Sequence, residues 1–195
     1  MNGSATVVRS GCMAKDADMI LSEFILLGIG GKELSEENAA QTAKALNIIQ
    51  PDFIRVHATG IKLESKLGEF VRDGSFTLQS EEEIVIEQKL FLQQLHEMDS
   101  YYVNEHIVNL LLEVRGNLRT EKQEMLSTID RFLTLPPDER LLFTVGRRLN
   151  IFFLLDDLKK PKLHQKAGES LQQILSKNPH VDFAALCNYV RQSQI

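Results

Sequence analysis

Residues 22–59, SEFILLGIGGKELSEENAAQTAKALNIIQPDFIRVHAT, decide the fold class. From Glu23 to Leu27 the chain is apolar on both parities, as in a strand covered on both faces, and Gly28, Gly30 and Gly31 end it. Ser35 offers an N-cap, and Glu36 and Glu37 suit the positive end of a helix dipole. Ala39, Ala43 and Leu46 then recur on one helical face until Pro51. Residues 52–59 alternate, with Ile54, Val56 and Ala58 on one side and Phe53, Arg55 and His57 on the other. This order predicts a βαβ unit whose parallel strands end on one side, at Gly28 and Thr59, where parallel sheets bind ligands.

Outward from this unit the pattern is mostly helical. Upstream, residues 5–9 suggest a short strand and 14–20 a helical turn, and residues 61–76 read as a loop with Gly68 and Gly74. Ser80 and Glu83 form a capping box that opens a helix to about Met98, striped by Ile84, Phe91, Leu95 and Met98. A shorter helix is expected over 106–114. A second capping box at Thr120 and Gln123 opens a helix striped by Met125, Ile129 and Phe132 that stops before Pro136. Helical patterns follow over 138–158, 162–177 and 182–192. The expected class is α+β and mostly helical. Residues 1–76 hold the βαβ core and residues 77–195 form a helical C-terminal domain.

The chain has 195 residues, 43% of them hydrophobic and 25% charged, with a net charge of −5, which is the composition of a soluble globular protein. The acidic balance argues against nucleic acid as a partner. Apolar runs fall far short of the ~20 residues a membrane helix needs, and the first 18 residues lack the apolar centre of a signal peptide. Two cysteines, Cys12 and Cys187, are too few for a disulfide framework, so a reducing, cytoplasmic setting with no membrane partner is expected.

The glycine turn invites an anion, because glycine lets backbone N–H groups approach a phosphate at a helix N-terminus. A P-loop would need glycine at Leu26 and serine or threonine at Glu33, and a dinucleotide fingerprint would need glycine at Glu33. A tight βα turn is therefore the simpler reading. Arg55 and His57, two apart on a strand, share a face that would line a cavity in an open half-barrel or meet carboxylates or solvent on an exposed sheet. His96-Glu97 and Glu105-His106 lack the second histidine of HExxH, and Arg147-Arg148 and Lys159-Lys160 read as helix-surface charge.

As one collinear pattern, SEFILLGIGGKELSEEN, PDFIRVHATG and GEFVRDGSF resemble the late core of a radical S-adenosylmethionine (radical SAM) enzyme. LQSEEEIVIEQKLFLQQLHEMDSYYVNEHIVNLL and MLSTIDRFLTLPPDERLLFTVGRR resemble its helical C-terminal region. Gly28 and Glu33 keep the family's strand-and-turn spacing, whereas Phe24 and Leu26 replace its Gly and Ile, and residues 60–67 have lost the prolines of its loop. The resemblance implies the remnant of a partial (β/α) barrel, with two or three parallel strands, from an N-terminally truncated or internally deleted gene product. It also implies cofactor contacts at Gly28, Ile29, Gly30 and Arg55. In the family, S-adenosylmethionine sits on a 4Fe-4S cluster held by three thiolates of a Cys-x-x-x-Cys-x-x-Cys loop. That loop is absent from this sequence, so no catalytic residue and no metal ligand carry over, and neither cofactor is expected to bind stably. Two readings follow: an iron–sulfur oxidoreductase fragment, inactive alone and completed by an N-terminal portion, or a non-catalytic helical interaction protein on the same scaffold with an unknown protein partner. A small nucleotide-binding protein using the glycine turn is a third.

Overall fold

A computed structural model describes residues 3–194 and shows an α+β fold; Met1, Asn2 and Ile195 lie outside the described residues. The βαβ unit is present. Strand β1 (Ser22–Leu27) runs parallel to β2 (Phe53–Ala58), with Ser22 opposite Phe53 and Leu27 opposite Ala58. Between them α2 (Ser35–Ile49) buries Ala39, Ala43, Leu46 and Ile49, the stripe its sequence carries. Gln50 ends it in the left-handed region, its N–H donating to the Leu46 carbonyl. The segment ahead of β1 is one helix, α1 (Gly3–Asp16), rather than a strand and a turn, and Gly11 meets Ile49 of α2 where a β-carbon would stand 2.7 Å from that side chain.

The sheet has two further strands that the sequence pattern did not announce. Strand β3 (Tyr101–Val103) pairs parallel to β2, and β4 (Gly116–Asn117) antiparallel to β3, giving the order β1-β2-β3-β4. The helix expected over 106–114 is instead an irregular crossing. Asn104 Nδ2 donates to the Leu111 carbonyl at 2.6 Å and Asn109 Nδ2 to the Val56 carbonyl at 2.7 Å, satisfying backbone groups that a helix would have left unmatched here. Val108, Leu110, Leu111 and Val114 are all buried in the core along this irregular path.

Helix α3 (Lys66–Arg72), capped by Ser65, interrupts the expected loop over 61–76. Helix α4 (Glu81–Gln94) starts with the expected capping box of Ser80 and Glu83. It stops short of Met98 because Asn47 of α2 accepts from the His96 N–H and donates to the Gln94 carbonyl, occupying the groups that would continue the helix. Helix α5 (Lys122–Leu133) has no side-chain cap from Thr120: Glu121 stands at its N-cap, and its carboxylate accepts from the Asn117 N–H at 2.7 Å. Helix α6 (Pro137–Arg148) ends ten residues before the expected limit, and only a 3-10 turn, Leu155–Lys159, follows in that stretch. The cause is Gly146, whose carbonyl accepts from both Ile151 and Phe152 and whose missing side chain admits the Phe152 ring; a β-carbon there would lie 2.3 Å from it. Helices α7 (Pro161–Lys177) and α8 (Phe183–Gln192), the latter capped by Asp182, match the expected segments.

One face of the sheet is covered. Ile25, Leu27, Ile54, Val56, Ala58 and Tyr102 join α2 and α4 in a hydrophobic cluster that continues to Phe132, Phe143 and Phe152, so it draws on residues on both sides of position 76. Tyr102 is fully buried there, its hydroxyl accepting from Gln88 Nε2 at 3.1 Å, and burial pushes its phenol far above its ordinary value.

Candidate functional site

The glycine turn lies at the carboxyl end of β1, and its shape follows from Gly28 at φ +84° and Gly31 at φ +62°, conformations that side chains other than glycine rarely adopt. A carboxylate from within the chain fills this turn. The Gly28 N–H points at both carboxylate oxygens of Glu87 at 3.3 Å, and the same carboxylate accepts from Ser35 Oγ at 3.1 Å and Asn38 Nδ2 at 2.7 Å. Glu87 comes from α4, has no solvent exposure, and fits its carboxylate between the Gly28 turn and the start of α2. Ser35 therefore serves Glu87 rather than capping its own helix. The remaining turn is held by Gly31 N–H to the Gly28 carbonyl and Lys32 N–H to the Thr77 carbonyl.

The end of β2 is closed in the same manner. Asn109 Oδ1 accepts from the Ala58 N–H at 2.7 Å, Arg191 Nε donates to the Thr59 carbonyl at 3.0 Å, and Asn188 bonds both the N–H and the carbonyl of Ile61. Behind this closure lies a buried ion cluster. Arg148 donates to both carboxylate oxygens of Glu81, at 3.0 and 2.6 Å, and Arg191 donates to one of them. Burial opposes the charge on Glu81, but the two guanidinium groups outweigh it and hold the carboxyl below its ordinary value. Cys187 adjoins this cluster, and burial, followed by the Glu81 charge, pushes its thiol up to about 12. Neither Arg147 nor Arg148 is a surface charge: both are buried, Arg147 donating to the Ile107 and Asn109 carbonyls. Glu81 and Glu87 fall inside the helix expected from Ser80 to about Met98, and the sequence pattern gives neither a role of its own. Their acidic character was visible, but nothing local marked them as buried.

What stays open is the other face of the sheet. On it lie Ser22, Phe24 and Leu26 of β1, Phe53, Arg55 and His57 of β2, and Tyr101 and Val103 of β3, with Phe24 63% and Leu26 47% exposed. Arg55 Nε donates to Ser22 Oγ at 3.0 Å, and its guanidinium lies 5.8 Å from the Phe53 ring centre. His57 stacks on His106 with ring centres 4.2 Å apart and meets Phe24 edge-on at 5.4 Å. Burial first, then the His106 and Arg55 charges, lower the His57 pKa below the ordinary histidine value.

The residues expected to contact a cofactor are thus divided. Gly28 is buried against Glu87, Gly30 is half-buried and Ile29 is exposed at the turn. Arg55 reaches back over Ser22, the opposite end of β1 from that turn, at roughly 3.3 Å of strand per residue. A three-thiolate cluster does not fit these residues: Cys12 lies on α1 and Cys187, a neutral buried thiol, on α8. Among the described residues no group of three or more histidine, cysteine or acidic side chains is placed to hold a metal ion, and no helix is long and apolar enough to cross a membrane. Comparison with protein-family models, with curated proteins and with solved structures finds no match to this chain.

Proposed function

We propose that this chain is one part of a larger sheet-and-helix assembly, the late portion of a radical SAM-type partial barrel, and that it is chemically inert until another polypeptide segment completes the sheet and supplies the cluster ligands. The observation that carries this reading is the uncovered sheet face. A sheet this small that packs helices on one side and leaves Phe24, Leu26 and Tyr101 exposed on the other is built as an inner wall, not as an outer surface. Arg55 and His57, with no carboxylate paired to them among the described residues, stand on that wall as polar groups would in a lumen.

The runner-up is a non-catalytic interaction protein on the same scaffold, and the occupied glycine turn favours it. With the Glu87 carboxylate in it, the turn has no free N–H at Gly28 to offer a ligand. Anaerobic reconstitution with iron and sulfide, followed by absorption spectroscopy and iron counting, tests the first reading. The isolated chain is expected to hold no stoichiometric cluster and to form no 5′-deoxyadenosine from S-adenosylmethionine. Cluster incorporation with reductive cleavage by this chain alone would overturn both readings.

A further inference from the structure

The open edge of β1 has a specific chemistry. Phe53 N–H donates to the Leu21 carbonyl and Thr59 N–H to the Leu27 carbonyl, so the odd-numbered residues of β1 bond to β2. The alternation of a ladder then turns the N–H and carbonyl groups of Ser22, Phe24 and Leu26 away from β2. Among the described residues, the Leu26 carbonyl is the one of these six groups with a protein partner, Asn38 Nδ2 at 3.1 Å. Glu23 is the one charge on this strand; β1 contains no proline and no lysine, and Phe24 and Leu26 stand exposed beside the unpaired backbone. The Arg55 side chain leans over this same strand, its Nε on Ser22 Oγ, and forms no ion pair among the described residues.

We infer that the β1 edge is a docking site for an extended segment of another polypeptide, which pairs with Ser22, Phe24 and Leu26 and places a carboxylate opposite Ser22, against Arg55. Neighbouring strands lie ~4.8 Å apart, so a side chain opposite Ser22 on the new strand falls within reach of a guanidinium already held at Ser22. Apolar side chains at the alternate positions would cover Phe24 and Leu26. Charge decides against a second copy of β1 in this place. Sheet faces match in an antiparallel pair only when even-numbered residues oppose even-numbered ones, so Ser22 would meet Phe24 or Leu26 of the copy; the one acidic residue of the strand, Glu23, has the wrong parity. This inference rests on the reading that another polypeptide completes the sheet, and it is independent of the family likeness.

The test uses the whole chain and two fluorescent synthetic peptides of alternating valine and threonine, identical except that one carries a glutamate near its end on the valine parity and the other a lysine. The glutamate peptide is expected to bind by fluorescence anisotropy at least ten-fold more tightly than the lysine peptide. It should also slow amide exchange at Ser22, Phe24 and Leu26. Arg55→Gln should reduce its affinity to that of the lysine peptide, and Arg55→Lys should restore part of the difference. Equal binding of the two peptides, or unchanged exchange at those three amides with millimolar peptide, overturns the proposal. So does finding these amides already protected in a dimer of the free chain by sedimentation, which assigns the edge to a second copy. Competition by acetate as effective as by the glutamate peptide would reduce the site to an anion contact and also overturns it. Cluster formation by the isolated chain would defeat the preceding section's reading while leaving these binding results to stand or fall separately.

Discussion

Replacing Glu81 by alanine should be among the most damaging single changes available to this fold. Glu81 is 4% exposed and faces Arg148 and Arg191, which are 4% and 2% exposed, so its removal strands two guanidinium groups away from water. Breaking a buried pair by deleting one partner costs about 3–5 kcal/mol. For a chain of this size that corresponds to a fall in melting temperature of roughly 6–20 °C, at about 2–4 °C per kcal/mol. Glu81→Gln, which keeps the volume but not the charge, should lose much of the same stability. The pH dependence has a definite sign. Glu81 has a folded pKa below its unfolded value of 4.5, so its contribution is complete above that value and is lost as pH falls through the folded pKa. Urea titrations of wild type and both variants between pH 3 and 7 are the assay, at ~1 kcal/mol precision or better. If Glu81→Ala costs less than ~1 kcal/mol at pH 7, or if Glu81→Gln unfolds in acid with the wild-type profile, the cluster does not hold the closure at the end of β2 in the way argued.

Glu87→Ala should destabilise the chain by about 1–3 kcal/mol, since it leaves the buried Gly28 N–H without an acceptor. It should also speed amide exchange at Gly28. Added inorganic phosphate should stabilise this variant and not the wild type, and indifference of both to phosphate would show that the turn has no anion-binding geometry to unmask. For His57, a carbon-bound proton titration by NMR should give a midpoint below 6.5, because burial, His106 and Arg55 all disfavour the imidazolium. His106→Ala should move that midpoint upward. The accompanying stability is present above the unfolded histidine value and is lost as pH falls through the folded one, and a wild-type midpoint at or above 6.5 contradicts the stacked arrangement.

The sequence by itself determined the elements whose signals are local. The βαβ core, the Ala39, Ala43 and Leu46 stripe, the Ser80 capping box and the helix expected over 182–192 all depend on residues within a few positions of one another, and all are found. Only the tertiary structure decided where polar groups meet. Glu87 reaches Gly28 across 59 residues and Arg191 reaches Glu81 across 110, separations at which no periodicity or cap leaves a trace in the chain. The same holds for two of the elements that departed from expectation. Apolar residues over 106–114 carry a helical rhythm, yet Asn109 finds the backbone of β2 and pulls the segment into an irregular path. The helical pattern running to Leu158 breaks at Gly146 because Phe152 folds back onto it. Hydrophobic patterning fixes which face of an element turns inward, but burial of a charge or an amide depends on a partner with matching hydrogen bonds, and chain folding alone brings that partner near. The uncovered face of β1 and β2 is the converse case: Phe24 and Leu26 read as buried from either parity, and no element of the described chain arrives to cover them.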